Sequence, residues 1–397
     1  MYKNKLLVML ATFAVLVAIT PFVFAKLMNA KFNQMIAKIN QKGYKVVQIA
    51  DESGYLKTKR VFKVIIGPDK LKDRDYKKIV LKVTTEFYNL PVTTVRFKGR
   101  VDNIVLSDDL KNIEKPLNDY VRKNVRFEVD TPNFKKYAYT FDDIVLKGSP
   151  NVEIRGIYGY FFYYPGLNKN ETHVKTIVIN DKDVKLKLDD LVIKNSFSEN
   201  ELLTKSDFNL RLSLEKKINL SVINAQIQSG VLKHNKKVDL INRVAVGEFK
   251  INDLFFVKKF NANLKIKDID ADLFKKAVKT RDEETNRVLI DKILEKGVTF
   301  DIKSDTEKIT AFQSDLGNYD LNMSLKFLPT KNIEEKFAAN NLDFIDLKFH
   351  LVISKKLANV LERFYPQSIY LLMLGRESNN KIVVDLAMKD GKITRVK

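Results

Sequence analysis

The sequence contains no cysteine, no tryptophan and only three histidines, at 173, 234 and 350, in 397 residues. Without cysteine there is no disulfide, no thiol nucleophile and no Cys-ligated zinc or iron–sulfur centre. Three scattered histidines leave little material for a histidine-rich metal site or a Ser-His-Asp arrangement. Acidic residues are outnumbered, 49 Asp and Glu against 70 Lys and Arg, giving a net charge of +21. With 45% hydrophobic residues, 14 Gly and 9 Pro, the composition is that of a folding chain and not of a disordered one. The length accommodates two or three domains, or one extended β protein.

One long uncharged run is present. Residues 6–25 follow Lys3 and Lys5 and hold twelve Leu, Val, Ile or Phe. On an insertion scale that content is worth on the order of −4 to −7 kcal/mol, and twenty helical residues just span about 30 Å of hydrocarbon. The run reads as an inner-membrane helix with an exported, periplasmic body. A cleaved signal ending near Pro21 and Ala25, releasing a soluble periplasmic protein, is the alternative. Residues 26–43 continue as an amphipathic helix, because Met28, Phe32, Met35 and Ile39 recur at helical spacing and Gly43 suits a C-cap.

From Tyr44 the dominant period is two. Phe208, Leu210, Leu212 and Leu214 alternate with polar residues, as do Tyr319, Leu321, Met323, Leu325 and Phe327, then Leu347, Phe349, Leu351 and Ile353, then Ile382, Val384, Leu386 and Met388. Such strands bury one face and wet the other. About 18 strands are expected by these rules, with Asp390-Gly391 as a two-residue hairpin turn. Two helical regions interrupt them. One spans residues 270–296, with a polar middle from 279 to 286 and Gly297 as its stop. The other begins at Ser354 and breaks at Pro366. The expectation is an α+β fold: a large, mainly antiparallel, elongated and groove-like β-sheet with a few helices. Residues 1–25 form the membrane segment, 26–43 the amphipathic helix, 44–269 a β-rich exported region and 270–397 a C-terminal α+β region continuing the sheet.

A loose motif of an apolar residue, two Asp or Asn, then Ile or Leu recurs at residues 101–106, 141–146, 188–193 and 251–256. Its offsets are irregular, so no solenoid follows; Asx pairs suit turns and bulges. The Asp pairs at 108/109, 142/143 and 189/190 read as solvated turn residues, since adjacent strand residues point to opposite faces. His350 is out of phase with its apolar neighbours and faces solvent, while His173 and His234 fall in polar stretches. No catalytic residue, cofactor site or metal site is assigned.

The lysines alternate with apolar residues and mix with acids, as in residues 184–190, so they form the wet face of a sheet and not a nucleic-acid surface; a surface of this sign is drawn instead to anionic lipid headgroups or acidic envelope polymers. The most unusual local feature is Tyr158, Tyr160, Phe161, Phe162, Tyr163 and Tyr164, a candidate ligand or interface site. On one strand, Tyr158, Tyr160, Phe162 and Tyr164 share a face and Phe161 and Tyr163 take the other. The set reads as the lining of an apolar groove, as a segment resting at a membrane interface, or as an ordinary core strand.

The order of an N-terminal membrane segment, residues 43–66 with Gly54-Tyr55-Leu56-Lys57-Thr58-Lys59-Arg60-Val61-Phe62 inside them, a β-rich middle and closing strands at 381–397 resembles the YdgA-like family of bacterial envelope proteins. That resemblance implies an inner-membrane anchor and a periplasmic body and implies no reaction. A more distant likeness is to AsmA-like proteins, whose β-grooves are associated with lipid movement. The expected role is a non-enzymatic envelope protein that binds lipid or another amphipathic component. The alternatives are a protein-interaction scaffold and an envelope-polymer hydrolase.

Overall fold

The alternating segments pair into antiparallel sheet, since only pairing satisfies the backbone while leaving side chains on two distinct faces. The computed structural model describes residues 2–41, 43–68, 76–91, 94–132, 135–148, 150–164, 166–214, 217–280 and 282–395, with side chains from Ile19 onward except that of Tyr164. Two units are present. Met1–Lys147, Val152–Tyr164 and Thr172–Lys175 form the first, and Gly148–Asn151, Pro165–Glu171 and Thr176–Lys397 form the second.

The first unit opens with helix α1 (Tyr2–Gln41) and continues through β1 (Lys45–Ser53), β2 (Lys57–Ile66), β3 (Tyr76–Tyr88), β4 (Val95–Leu106), α2 (Lys111–Asn124), β5 (Arg126–Thr131), β6 (Lys136–Phe141), β7 (Ile144–Leu146) and β8 (Asn151–Tyr164). Strands β1 to β6 pair antiparallel in sequence order, and β6 and β7 both pair with β8. Helix α1 is continuous through Pro21. The spacing read from the sequence is realised: Met28 and Phe32 are buried with Phe87 and Val95, and Met35 packs beside them. The Phe32 ring lies 5.5 Å from that of Phe87 and 6.0 Å from that of Phe97. Gly43, at φ 84°, follows the helix and donates its N–H to the Asn40 carbonyl.

Most of the run at residues 6–25 lies outside the described side chains. Among the described residues, no helix is long and apolar enough to cross a membrane. Helix α2 was not legible in the sequence, because Pro116 interrupts it and only Ile113, Leu117, Tyr120 and Val121 mark its apolar side. Its role is to close an edge. Pairing of β4 with β5 stops at Arg100, and beyond it Asn118 accepts from the Ile104 N–H at 2.6 Å and donates to the Ile104 carbonyl at 2.9 Å. Glu114 accepts from the Leu106 N–H at 3.1 Å.

Strand β9 (Leu167–Asn180) has its central residues in the first unit and its ends in the second. The second unit proper comprises β10 (Val184–Ser198), β11 (Glu201–Leu214), β12 (Ile218–His234), β13 (Lys237–Ile251), β14 (Phe255–Asp270), α3 (Ala271–Lys279), α4 (Glu283–Glu295), β15 (Thr299–Ala311), β16 (Ser314–Phe327), α5 (Ile333–Ala338), β17 (Ile345–Ser354), α6 (Lys355–Phe364), α7 (Ser368–Leu372), β18 (Arg376–Ser378), β19 (Lys381–Lys389) and β20 (Lys392–Arg395). From β10 to β17 each strand pairs antiparallel with the next. Strand β19 then joins β17, with β18 and β20 also pairing with β19.

The helical region expected at 270–296 is two helices inserted between paired strands β14 and β15. Its polar middle has nothing to bury, so the helix breaks there and each half gains its own cap. Asp270 accepts from the N–H groups of Asp272 and Leu273, and Asp282 from that of Thr285. The Asx motifs fall where backbone geometry is irregular. Asp102 is the extra residue where pairing shifts between Val80 and Leu81, and Asp142-Asp143 separate β6 from β7. Asp190 (φ 54°) stands at the β10 bulge, and Asn252 (φ 48°) turns β13 into β14. Asp390 (φ 50°) and Gly391 (φ 73°) make the expected hairpin.

Replacing Phe32 by Ala removes a fully buried ring and is expected to destabilise the first unit by about 3–5 kcal/mol. The control Phe22→Ala, at a residue 68% exposed, is expected to stay within about 0.5 kcal/mol. Denaturant midpoints of the two variants check both values.

Candidate functional site

Register assembles the apolar residues of the second unit onto one face. Leu186 and Leu188 on β10 oppose Leu212 and Leu210 on β11. Those in turn oppose Leu220 and Val222 on β12, with Ile251 and Phe249 next on β13 and Phe255 and Val257 on β14. The face continues through Ile309, Tyr319, Leu351 and Val384 on β15 to β19.

Helices cover part of it. Leu357 and Ala358 of α6 and Leu372 of α7 are buried with Ile309, Ile353, Ile382 and Val384. Toward the other end of the strands, Phe274 of α3 and Ile293 of α4 pack on Val238, Ile269 and Val298. Ile333 of α5 joins Phe327, Phe344, Ile345 and Met388.

Among the described residues of this unit, no comparable buried cluster includes β10 or β11. Strands β10 and β11 carry Leu186, Leu188, Ile193, Phe208, Leu210, Leu212 and Leu214 on this face, yet not one residue of either strand is buried. On β12 only Ala225 is, and Ile218 and Ile227 are 46% and 40% exposed. An apolar sheet face left partly exposed over this extent is the kind of surface that marks a binding site. Across it runs one polar row, Asn195 opposite Thr204, Ser229 and Asn242 in succession, in which Thr204 donates to Asn195 at 2.8 Å. The row separates an apolar zone toward the β11–β12 turn from a smaller one at the other strand ends.

The opposite face is charged. Lys187 lies 2.9 Å from Asp189 and Lys267 2.6 Å from Asp301. Burial pushes the Asp189 carboxyl up, but hydrogen bonds from Thr176 and Lys187 outweigh it and hold the group below its ordinary value. Glu307 receives Lys258 at 2.6 Å and Lys259 at 2.7 Å, and these two hydrogen bonds lower its pKa to about 2.

The aromatic run of the first unit occupies β8. Tyr158, Tyr160 and Phe162 face the same way as Thr140, Ala138 and Lys136 of β6, while Phe161 opposes Tyr137 on the other face. The six rings therefore do not form one patch. The Lys136 ammonium lies 4.8 Å from the Tyr160 ring and 5.3 Å from that of Phe162, and His173 stacks on Tyr158 at 4.6 Å. Tyr163 is 51% exposed, and the side chain of Tyr164 lies outside the described residues. On the other face Phe161 meets Tyr137 at 6.2 Å and Phe127 meets Phe141 at 5.7 Å. Burial raises the Tyr137 hydroxyl above its ordinary value. Gly99 makes this packing possible, since a Cβ there would stand 2.0 Å from the Phe127 ring.

The histidines are dispersed. His350 is on the polar face as expected, its Nδ1 2.5 Å from Asp385. His173, expected in a polar loop, is instead within β9, whose apolar alternation begins only at Val174 and so hid the strand. His234 closes β12 at its turn, 3.8 Å from Asp239. Asp108 and Asp109 fall in a short 3-10 turn. Among the described residues no group of three or more His, Asp or Glu is placed to hold a metal ion.

Comparison with family models, curated proteins and solved structures returned no match. The YdgA-like and AsmA-like resemblances rest on the sequence features that carry them.

Glu307 is expected to titrate near pH 2 instead of the ordinary 4.5. A carboxylate with a lowered folded-state pKa contributes stability that is fully present above about 4.5 and is lost as pH falls through about 2. Carbon-detected NMR of labelled glutamate reads the titration directly, and Lys258→Gln is expected to move it upward.

Proposed function

We propose that this chain is a membrane-anchored, non-enzymatic protein that holds the apolar portion of a lipid on the uncovered face of β10 to β12. The observation that carries the reading is the absence of any buried residue on two strands of 15 and 14 residues whose shared face is mostly Leu, Ile, Val and Phe, with Asn195, Thr204 and Ser206 as its polar members. Full burial of one such side chain is worth roughly 1.5–3 kcal/mol. Several together give an acyl chain a strong reason to lie there, and the polar row of Asn195, Thr204, Ser229 and Asn242 sets a boundary to the zone it would fill.

The anchor is residues 6–25, from their length and apolar content, and it places the body in the periplasm against the inner membrane. One further observation supports a helix in contact with lipid: Ile19, Phe22, Val23 and Leu27 of α1 form a stripe 48–68% exposed, at spacings of 3, 1 and 4, on the side away from Phe24, Met28 and Phe32. The aromatic strand β8 is then part of the first unit's own packing on one face and a Lys136-capped surface on the other. A docking role for it is the second-ranked reading.

The full chain, extracted in mild detergent, is expected to carry lipid in at least equimolar amount by mass spectrometry. Leu188→Asp and Leu210→Asp, which set a charge in the middle of the apolar zone, are expected to remove most of it. A wild-type chain free of lipid would overturn the reading.

A further inference from the structure

The polar face of the second unit carries a cleft of about 680 Å³. It lies at the strand ends where β11 turns into β12 and β13 into β14. Register stacks its cations. Lys187 stands directly opposite Arg211, Arg211 opposite Ser221, and Ser221 opposite Lys250. Lys185 lies one pleat nearer the end, and Lys217 sits beside the turn. These five basic residues line the cleft, and among the described residues Asp253 is the one acid that does. Asp253 approaches Lys250 at 2.7 Å and Asp189 approaches Lys187 at 2.9 Å, and the lining as described is net positive.

Like charges directly opposite on neighbouring strands repel, and Asp189, 2.9 Å from Lys187 and within the electrostatic reach of Arg211, answers one of the two charges. An anion at Arg211 would answer the other, and the planar Arg211 guanidinium suits two oxygens of one phosphate. The same strand ends bound the apolar zone: Val184 and Ile218, on the other face, are 38% and 46% exposed, and Leu212 and Leu220 contribute to the cleft wall. Apolar and cationic surfaces thus meet at one end of one sheet.

We propose that this cleft takes the phosphate headgroup of an anionic phospholipid whose acyl chains occupy the apolar face around the strand ends. The inference rests on the lipid reading above and adds to it the class of lipid. A free phosphate ion shares the recognition chemistry. The size of the cleft and its position at the same strand ends as the apolar zone favour the lipid.

The test uses the full chain and two probes with the same palmitoyl tail, lysophosphatidylglycerol and lysophosphatidylcholine, below their micelle concentrations, with affinities read by calorimetry. The anionic probe is expected to bind at least about tenfold tighter. In the combined Lys185→Gln, Lys187→Gln and Arg211→Gln variant that ratio is expected to fall below roughly threefold, and in the charge-preserving Lys185→Arg, Lys187→Arg variant it is expected to survive. Inorganic phosphate at millimolar concentration should not displace the probe. Equal affinity for the two probes, or a preference that survives loss of the three charges, overturns the headgroup assignment while leaving the lipid reading intact. Failure of both probes to bind overturns both. Phosphate binding lost in the triple variant without any probe binding marks a free-anion site and overturns the assignment.

Discussion

Inter-strand backbone hydrogen bonding is the interaction on which the second unit depends. On β10 and β11 it acts without a core, since neither strand owns a buried side chain. Each such bond contributes only about 0.5–1.5 kcal/mol net, and each cross-strand pair about 0.2–1 kcal/mol. Length compensates: twelve residues of β10 oppose β11 and thirteen of β11 oppose β12. The consequence is chemical. A sheet held through its backbone can leave one apolar face uncovered, where an ordinary domain would collapse a helix or second sheet over it.

The rest of the unit shows what covering looks like. Helices α3 to α7 are all inserted after β14, between strands that remain paired or adjacent, and they close both ends of the later strands. The apolar surface therefore passes from sealed to open along a single sheet. An occupant of the open part would rest against residues such as Phe249 and Phe255, whose rings meet edge-on at 6.1 Å and whose neighbours are already packed. In the first unit α1 has the same sealing role, with Met28 and Phe32 standing over Phe87 and Val95.

Much of this was legible in the sequence, because period-two patterning reports faces directly. The apolar sets at 319–327, 347–353 and 382–388 lie on the covered face that their alternation marks, whereas the set at 208–214 shares that face without being buried, and Asx pairs fell at bulges and turns. Three things were not legible. Helix α2 carries only a short apolar period, Ile113, Leu117, Tyr120 and Val121, and Pro116 inside it reads as a helix break. His173 sits in a strand whose first half is polar. The row of Lys187, Arg211 and Lys250 requires the register of four strands: the residues are 24 and 39 positions apart, and a wet face looks the same in sequence whether its cations are scattered or aligned. The aromatic run divides between two faces as its alternation implies, with Tyr158, Tyr160 and Phe162 on one and Phe161 on the other.

The central claim is that the face bearing Leu188, Leu210 and Val222 is open in the protein and filled by lipid. The absence of cysteine allows it to be read one residue at a time. Single Leu188→Cys, Leu210→Cys and Val222→Cys variants of the full chain, stripped of lipid, are expected to react with a charged maleimide at rates comparable to Lys187→Cys and Ser221→Cys on the opposite face. Lysophosphatidylglycerol is expected to protect the first three from the reagent and not Lys205→Cys, which stands on the opposite face away from the basic cleft. Leu188→Cys, Leu210→Cys and Val222→Cys sites that are unreactive in the stripped protein, or equally reactive with and without the lipid, would contradict the account.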